Sequence, residues 1–355
     1  MTRFFDPALS ALEPYVPGEQ PKGIDNLIKL NTNESPYPPC PAAVQALGRR
    51  QAEDLRLYPD PACSGLVDAI AGFYGVHTDQ VVTGNGSDEL LAFLFRGFCP
   101  GGAVFADVTY GFYPVFAAMF QRPVTIVPLR EDFTLAPADY ASKTGTVFIA
   151  NPNAPTGLAL ALDQIREVLE QDRDRLVVID EAYVDFGARS AVSLVRDYDN
   201  LVVVQTFSKS RQLAGARLAF AIANPALAAE LNTLKFSFNP YSVNRAALAA
   251  GEAAMRDREY FDKTRRAIMA DREYAAESLR AIGFHVLESK ANFIFAAPNG
   301  ISAGDYFAAL RQRGIIVRYW PDSLRIRDYL RITIGTHDQM ASLIRATEEI
   351  LREVN

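Results

Sequence analysis

The stretch that decides the fold is Thr206-Phe-Ser-Lys-Ser-Arg-Gln-Leu-Ala-Gly-Ala-Arg217, which follows the apolar, β-branched run Leu201-Val-Val-Val-Gln205. Such a run predicts a buried parallel strand, and ligands bind at the carboxyl ends of the strands in open α/β sheets. Lys209 comes just after that end, between two serines, and is therefore a candidate nucleophile that could form a Schiff base. A lone lysine after a strand is more often only solvated, so this prediction depends on the other motifs of the chain.

Short β-forming runs alternate with helical or loop segments along the first two thirds of the chain. Alternation of this kind predicts an α/β fold with a mostly parallel central sheet flanked by helices on both faces. The predicted strands are residues 80–83, 103–107, 124–127, 146–150, 176–180, 201–205 and 217–222.

Three regions follow from the change of pattern along the chain. Residues 1–41, which are rich in proline and asparagine, predict an irregular N-terminal arm that packs with the small domain. Residues 42–255 are predicted to form the large cofactor-binding domain, and residues 256–355 a small α+β C-terminal domain. The alanine-rich, proline-free segment 242–282 predicts one long helix between them. The small domain is predicted to hold strands 284–287, 292–296, 315–319 and 329–334 and helices 303–313 and 337–353.

The composition excludes several classes of protein. The 355 residues carry a formal net charge of −6, which argues against a nucleic-acid partner because phosphate binding needs a basic face. We find no apolar run long enough to cross a bilayer, so we expect no membrane partner and a cytoplasmic location. Cys40, Cys63 and Cys99 share no CxxC spacing and the three histidines lie far apart, so neither disulfides nor a metal site are predicted.

A glycine turn between a strand and a helix predicts an anion site. Gly84-Asn-Gly-Ser87 leads into the helical pattern Asp88-Glu-Leu-Leu-Ala-Phe-Leu-Phe. Glycines let the backbone approach a ligand, and the free N–H groups and positive dipole of a helix start favour phosphate. Gly86, Ser87 and Asp88 would supply backbone amides. Such turns also occur without any ligand, and the Walker lysine and the GxGxxG pattern are missing, so nucleotide binding has little support.

Polar residues after the neighbouring strands would each have a use if the cofactor were a pyridine aldehyde phosphate. Asp180 could keep the ring nitrogen protonated, and Asn151 and Tyr183 could hold the ring oxygen. Tyr110 could stack on the ring, while Ser208 and Arg217 could bind the phosphate. Each also has a plain structural interpretation: a turn or capping aspartate, an Asx-turn before proline, or a packing tyrosine.

Two arginines in the last third of the chain are candidates for binding an anion. Arg331 lies in an otherwise apolar strand, where an unpaired guanidinium is costly, so it should have an anionic partner. Arg318, in Ile315-Ile-Val-Arg-Tyr, is a second candidate. Each has a plain alternative. Arg331 could form a structural salt bridge, and Arg318 could belong to a basic surface loop together with Arg325 and Arg327.

The order of these motifs resembles the fold-type I pyridoxal-phosphate aminotransferases, of class II, over residues 30–335. The motifs are Tyr58-Pro-Asp-Pro, Gly84-Asn-Gly-Ser-Asp-Glu, Pro152-Asn-Ala-Pro-Thr-Gly, Asp180-Glu-Ala-Tyr, Thr206-Phe-Ser-Lys and Leu330-Arg-Ile-Thr-Ile-Gly. The resemblance implies that Lys209 holds the cofactor, that Asp180 meets the pyridine nitrogen, and that Tyr110 stacks on the ring. It also implies that Asn151 and Tyr183 meet the ring oxygen. Around the phosphate it places Gly86, Ser87, Asp88, Thr206, Ser208 and Arg217.

The same resemblance implies partners and substrates. Tyr58 would reach the phosphate from a neighbouring subunit, which makes the expected assembly a homodimer. Arg331 and Arg318 would hold the carboxylate or phosphate of the amino donor, and Tyr15 in the arm would close over it. The chain is most similar to the branch that acts on L-histidinol phosphate and 2-oxoglutarate in histidine biosynthesis.

Three other activities stay open at this point. They are aromatic amino acid transamination, a lyase activity similar to threonine-phosphate decarboxylase, and a cofactor-sensing regulator fused to a DNA-binding module, which the acidic balance disfavours.

One departure from the family pattern bears on substrate choice. Ser210-Arg-Gln after the lysine replaces the more usual Ala-Phe-Gly, which predicts an added cation, Arg211, near the site.

Overall fold

The structure is a computed structural model that describes residues 4–21, 23 and 26–354. The strands are Ile28–Leu30 (β1), Val81–Gly84 (β2), Ala103–Ala106 (β3), Val124–Val127 (β4), Thr146–Ala150 (β5), Val177–Asp180 (β6), Leu201–Thr206 (β7), Ala219–Ala223 (β8), His285–Val286 (β9), Phe293–Ala297 (β10), Ile315–Tyr319 (β11) and Leu330–Thr333 (β12). The α-helices are Pro41–Ala46 (α1), Arg49–Glu53 (α2), Ser64–Tyr74 (α3), Ser87–Gly97 (α4), Phe112–Met119 (α5), Leu162–Glu170 (α6), Pro225–Phe238 (α7), Arg245–Arg256 (α8), Arg258–Ala281 (α9), Ala303–Gln312 (α10) and His337–Val354 (α11).

A seven-stranded sheet forms the large part of the molecule, in the order β2-β8-β7-β6-β5-β3-β4. The strands from β7 to β4 in this order run parallel, whereas β8 is antiparallel to both of its neighbours. Alternate residues of one strand enter different cores: Val177 and Ile179 pack in one cluster and Val178 in another. Because successive side chains of a strand point to opposite faces, both faces of the sheet are covered. The predicted α/β fold with a mostly parallel central sheet is confirmed.

The strand β8 begins at Ala219, so the predicted start at Arg217 is wrong. Arg217 has a φ of 53°, in the left-handed region, and follows a short 3-10 turn over Ala214–Ala216. The backbone is therefore still turning at this residue, and its side chain is free to point toward the ends of the neighbouring strands rather than along β8.

A five-stranded sheet forms the second layer, in the order β1-β11-β12-β10-β9. Strand β1 comes from the N-terminal arm and runs parallel to β11, with Ile28 opposite Ile315. The pairs β11–β12, β12–β10 and β10–β9 are antiparallel. The arm thus supplies an edge strand of the C-terminal sheet; the domain limits at residues 41/42 and 255/256 stay a prediction.

The predicted single helix over residues 242–282 is wrong, because the chain forms two helices, α8 and α9. They are separated by Asp257, whose ψ of 79° is not helical. The carboxylate of Asp257 accepts a hydrogen bond from the backbone N–H of Tyr260 at 3.0 Å. An aspartate that satisfies a free N–H of a new first turn favours a helix start, and composition alone does not register this.

No helix in the described ranges of the chain is long and apolar enough to cross a membrane.

Candidate active site

A cavity of about 490 Å³ lies where the carboxyl ends of the large-sheet strands face the small sheet. It brings together side chains from the arm, the large sheet and the small sheet, although many of them lie more than a hundred residues apart in sequence. Of the predicted site residues, it is lined by Tyr15, Ser87, Asp88, Tyr110, Asp180, Tyr183, Thr206, Ser208, Lys209, Arg217, Arg318 and Arg331.

Lys209 lies in the loop directly after β7, as the sequence predicted. Its ammonium donates a hydrogen bond to the carbonyl of Thr32 at 3.3 Å and lies 5.7 Å from the ring centroid of Tyr183. Burial, helped by the positive charge of Arg331, lowers the pKa of Lys209 from 10.5 to about 8. About a tenth of such a lysine is neutral at pH 7, far more than of an ordinary lysine, and the neutral form can act as a nucleophile or a base.

Asp180 is the last residue of β6 and is buried. Its carboxylate accepts hydrogen bonds from the Tyr113 hydroxyl at 3.1 Å and from the backbone N–H of Ala182 at 3.2 Å. Burial raises the pKa of Asp180 to about 6, and these two hydrogen bonds oppose part of that rise. The side chain is therefore largely ionised at neutral pH and able to face a cationic partner in the cavity.

The turn before α4 and the turn after β7 form one polar corner of the cavity. Arg217 contacts Asp88 with Nη2 to Oδ2 at 3.1 Å, and Asp88 also accepts a hydrogen bond from the Tyr110 hydroxyl at 2.7 Å. Thr206 and Ser208 join through their hydroxyls at 2.9 Å, and the Ser208 backbone N–H donates to Thr206 Oγ1. These groups stand beside the N-terminus of α4, where free backbone N–H groups favour an anion.

Gly86 is the residue before α4 and has a φ of 81°. A Cβ at this position would lie 2.7 Å from Nη2 of Arg217. A side chain at residue 86 would therefore displace the guanidinium, and the φ and ψ of 81° and 159° favour glycine at this position.

Two tyrosines form the aromatic part of the cavity. Tyr110 packs edge-on against Tyr113, with ring centroids 5.6 Å apart, and burial beside Asp88 raises its pKa well above the usual range. Tyr183 packs edge-on against Phe293, and its hydroxyl accepts a hydrogen bond from Asn33 Nδ2 at 2.9 Å. The pKa of Tyr183 is raised by burial. Both phenols are therefore protonated. Tyr110 already donates its proton to Asp88, whereas the Tyr183 hydroxyl is available as a hydrogen-bond donor.

Two arginines face the cavity from neighbouring strands of the small sheet. Arg318 on β11 lies directly opposite Arg331 on β12. Arg331 donates to the Asn31 carbonyl at 3.1 Å, while its buried Nε has no hydrogen-bond partner among the described residues. Arg318 donates to the carbonyls of Val16 and Pro17. No salt bridge to either arginine is formed within the described chain, so this pair is electrostatically suited to an anionic ligand.

Two aromatic side chains complete this anion-binding end of the cavity. Trp320 packs at 5.4 Å from the guanidinium carbons of both arginines. Tyr15 of the arm stacks on Phe112 with centroids 4.3 Å apart and lines the opening. The arginines are thus held by aromatic faces rather than by carboxylates.

Three predicted residues behave differently from the rest. Asn151 is buried beside β5, where its Oδ1 accepts from the backbone N–H of Leu160 at 2.7 Å. It lines a second cavity of about 210 Å³, while its neighbours Ala150 and Pro152 line the main one. The contact of Asn151 with the ring oxygen stays a prediction. Tyr58 lies outside the main cavity, 78% exposed and stacked on Tyr241 at 4.6 Å. Gly86, which was predicted to supply a backbone amide, lies beside Arg217 at the start of α4.

The expected cation from Ser210-Arg-Gln does not reach the cavity. Arg211 is buried between Phe73 and Phe261, with its guanidinium carbon 4.7 and 3.6 Å from their ring centroids. Its Nη1 donates to the carbonyl of Ala254. Arg211 therefore joins α3, α8 and α9, and the expected influence on substrate charge is not supported by its position.

Sequence reasoning missed several residues of the site. Asn33 and the carbonyls of Asn31 and Thr32 belong to a segment that was predicted only as an irregular arm. Tyr113 stands one turn after the predicted Tyr110, and a helical reading of residues 110–113 would have placed both on one side. Trp320 directly follows β11, and no motif marks it.

Comparison with known proteins agrees with this geometry. The family model described as Aminotransferase class I and II matches residues 25–346. Histidinol-phosphate aminotransferase 1 of Bordetella parapertussis is 50% identical over 355 residues, which cover 99% of each protein. The histidinol-phosphate aminotransferase of Clostridium acetobutylicum is 47% identical over 353 residues, covering 99% of this chain and 100% of that protein.

A solved structure is also similar over the whole chain. It is the histidinol-phosphate aminotransferase of Sinorhizobium meliloti in complex with pyridoxal-5'-phosphate. Its sequence is 25% identical and its TM-score is 0.89, with 100% of this chain and 99% of that chain covered.

Proposed function

Because this chain belongs to the class I and II aminotransferase family, we propose that it transfers the amino group of L-histidinol phosphate to 2-oxoglutarate in histidine biosynthesis, using pyridoxal 5'-phosphate. Arg318 and Arg331 carry the choice of substrate: two guanidiniums face the cavity in register, and neither forms a salt bridge within the described residues. A phosphorylated amino donor supplies the anion that they lack. Relatives about half identical in sequence over the full chain are named histidinol-phosphate aminotransferases.

Pyridoxal phosphate fits the residues that are present. The polar corner has a glycine, Gly86, where a Cβ would collide with Arg217, and hydroxyls and backbone amides surround it. Arg217, Ser208, Thr206 and the amides of Ser87 and Asp88 would hold the phosphate. Lys209 and Asp180 stand at the ends of adjacent strands, as a cofactor held at an aldehyde and at a ring nitrogen requires.

When bound, pyridoxal phosphate supplies an aldehyde that condenses with amines and a protonated ring that accepts electrons from the adjoining carbon. Lys209 would hold the cofactor and, as a free amine, would accept the proton of the substrate carbon, for which its lowered pKa suits it. Asp180 would keep the ring nitrogen protonated, and the Tyr113 hydroxyl orients Asp180. The Tyr183 hydroxyl would donate a hydrogen bond to the ring oxygen.

The anion-binding end orients the substrate. Arg331 and Arg318 would bind the phosphate of the amino donor and, in the second half of the reaction, a carboxylate of 2-oxoglutarate. Tyr15, Tyr110 and Trp320 line the same cavity. The same cavity wall therefore serves two anionic substrates in turn.

We further propose that the enzyme is a cytoplasmic homodimer in which Tyr58 completes the site of the partner subunit. Tyr58 is highly exposed, and so are nearby apolar side chains. These are Leu55, Leu57, Phe236, Phe238 and Tyr241. An apolar surface of this kind supports a contact with a second copy of the chain. Mixing Lys209→Ala with Tyr58→Phe subunits should restore activity if Tyr58 acts across the interface, whereas action within one subunit restores none.

The activity is tested by a half-reaction. L-Histidinol phosphate is added to purified holoenzyme without an oxo acid, and the absorbance of the bound cofactor is followed; L-phenylalanine and O-phospho-L-threonine are added separately. Rapid loss of the band with histidinol phosphate supports the proposal. Loss mainly with phenylalanine would move the activity to aromatic transamination, and carbon dioxide release from phosphothreonine would make the protein a lyase.

A further inference from the structure

Asn33 is a buried asparagine whose polar groups are all hydrogen-bonded. It is 1% exposed and has a φ of 55°. Its backbone N–H donates to Thr333 Oγ1 at 3.0 Å, and its carbonyl accepts from Asn292 Nδ2 at 3.0 Å. Its Oδ1 accepts from the Thr333 hydroxyl at 3.0 Å, and its Nδ2 donates to the Tyr183 hydroxyl at 2.9 Å. Three of the four bonds stay with the small sheet and its flanks, and only the last reaches the loop after β6.

The backbone of this position does not by itself require asparagine. A left-handed φ is adopted most easily by glycine, and asparagine is the usual second choice. A glycine would keep the two backbone bonds to Thr333 and Asn292. The side chain must therefore have a use of its own, and its Nδ2 contacts only Tyr183 among the described residues.

The neighbours of Asn33 contact the other reactive groups of the cavity. The carbonyl of Asn31 accepts from Arg331, and the carbonyl of Thr32 accepts from Lys209. Residues 31–33 thus contact the arginine for the substrate anion, the lysine and the tyrosine in sequence order. A segment in this position sets the orientation of groups that themselves reach the ligands.

We propose that Asn33 is a positioning residue that holds Tyr183 as a hydrogen-bond donor toward the ring oxygen of the cofactor. A phenol oxygen that accepts an amide proton keeps its own proton for another acceptor. The amide of Asn33 therefore fixes both the place of the Tyr183 oxygen and the direction of its proton. The inference rests on the proposed function only in that Tyr183 contacts the cofactor.

The chemistry of Tyr183 agrees with this role. The bond from the Asn33 amide Nδ2 is the only hydrogen bond of the Tyr183 oxygen within the described chain. Burial raises the pKa of Tyr183, and the bond from Asn33 opposes part of that rise. Without the amide the phenol would be buried with an unsatisfied oxygen that is free to turn.

Two substitutions separate a positioning role from a merely structural one. Asn33→Asp keeps the shape and the acceptor for Thr333 but replaces the donor by an acceptor, which would draw the Tyr183 proton to itself. Asn33→Gly keeps the backbone and removes the side chain. We expect the pH midpoint of the absorbance change of bound cofactor to rise by about one unit in Asn33→Asp and by less in Asn33→Gly. We also expect kcat to fall about tenfold or more in Asn33→Asp while KM changes little.

A smaller effect of Asn33→Asp than of Asn33→Gly would overturn the inference. If Asn33 only supports the fold, Asn33→Asp is the milder change, because aspartate is closest to asparagine in shape. The loss of activity then follows the loss in thermal midpoint, and the pH midpoint of the absorbance change equals that of wild type in both variants. In a Tyr183→Phe background, Asn33→Gly should shift the absorbance no further. Asn224→Asp, the same chemical change at the start of α7, should leave the absorbance unchanged. Failure of wild type to bind the cofactor would instead refute the proposed function.

Discussion

Replacing Arg331 by methionine should separate stability from activity. Among the described residues, Arg331 makes one hydrogen bond, to the Asn31 carbonyl, and packs at 5.4 Å from the rings of both Phe293 and Trp320. Losing the bond costs about 1.5–3 kcal/mol, and losing the two ring contacts costs about 0.5–1 kcal/mol each. Removing the buried, unpaired Nε returns about 1–3 kcal/mol, and methionine fills much of the space. The net loss in the free energy of unfolding should therefore be about 2 kcal/mol and no more than about 4 kcal/mol.

The effect on catalysis should be much larger. If Arg331 makes two charge-assisted hydrogen bonds to the substrate anion, each worth about 1.5–3 kcal/mol, their loss removes about 3–6 kcal/mol. At about 1.4 kcal/mol per factor of ten, kcat/KM for L-histidinol phosphate should fall about 10²–10⁴-fold.

The two quantities are measured by steady-state kinetics and by urea unfolding of the same preparation. Arg280→Met is the matched control, because Arg280 donates to the Val286 carbonyl far from the cavity and should lose stability without a comparable loss of activity. A large fall in stability of Arg331→Met together with a kcat/KM loss below tenfold would refute the assignment of Arg331 to the substrate anion.

Three further outcomes are expected. Since the pKa of Lys209 is lowered to about 8 in the folded state, the unfolded chain binds more protons between pH 8 and 10.5, and the folded apoprotein gains stability as pH rises through that window. At pH 7 the free energy of unfolding of Lys209→Met apoprotein, measured in urea, should therefore exceed that of wild type by up to about 3 kcal/mol, and the difference should be gone by pH 10.5. A pH-independent difference would contradict the burial argument. Gly86→Ala should weaken cofactor affinity, measured by absorbance titration, by about 1–3 kcal/mol. Gly72→Ala in α3, where a Cβ meets nothing within 4 Å, is the control and should leave the affinity unchanged. Equal affinities of the two variants would count against phosphate binding at the polar corner. Asp257→Ala should cost about 1 kcal/mol of unfolding free energy, because α9 loses its cap, whereas Asp257→Asn should stay close to wild type. An unchanged thermal midpoint in the alanine variant would show that this cap does not determine the break between α8 and α9.

Much of the fold and half of the cavity could be predicted from the sequence, because local chemistry marks them. The β-branched runs before Asp180 and Lys209 form strands, as their composition favours, and the two residues are polar groups at or just after the ends of these runs. The glycine turn before α4 shows the same kind of local signal. These features depend on neighbours within a few positions along the chain.

The remaining features depend on contacts between distant parts of the chain. Asn33 is defined by Tyr183 and Thr333, which lie 150 and 300 positions away. Arg211 carries a charge that sequence assigns to the cavity, and only the packing of α3 and α9 shows that two phenylalanines enclose it.

The parallel pairing of β1 with β11 has a consequence for how the protein is made. Ile28 faces Ile315, so these partners are 287 positions apart (315 − 28 = 287). During synthesis the segment that becomes β1 leaves the ribosome early, and its hydrogen-bonding partner is translated near the end. Pairings over such distances form slowly, because the intervening chain must first be brought together. The arm, with Asn31, Thr32 and Asn33 attached to it, should therefore be the last element of the cavity to assemble, and nascent chains that stop before residue 315 should leave it accessible to protease while the large sheet is already protected.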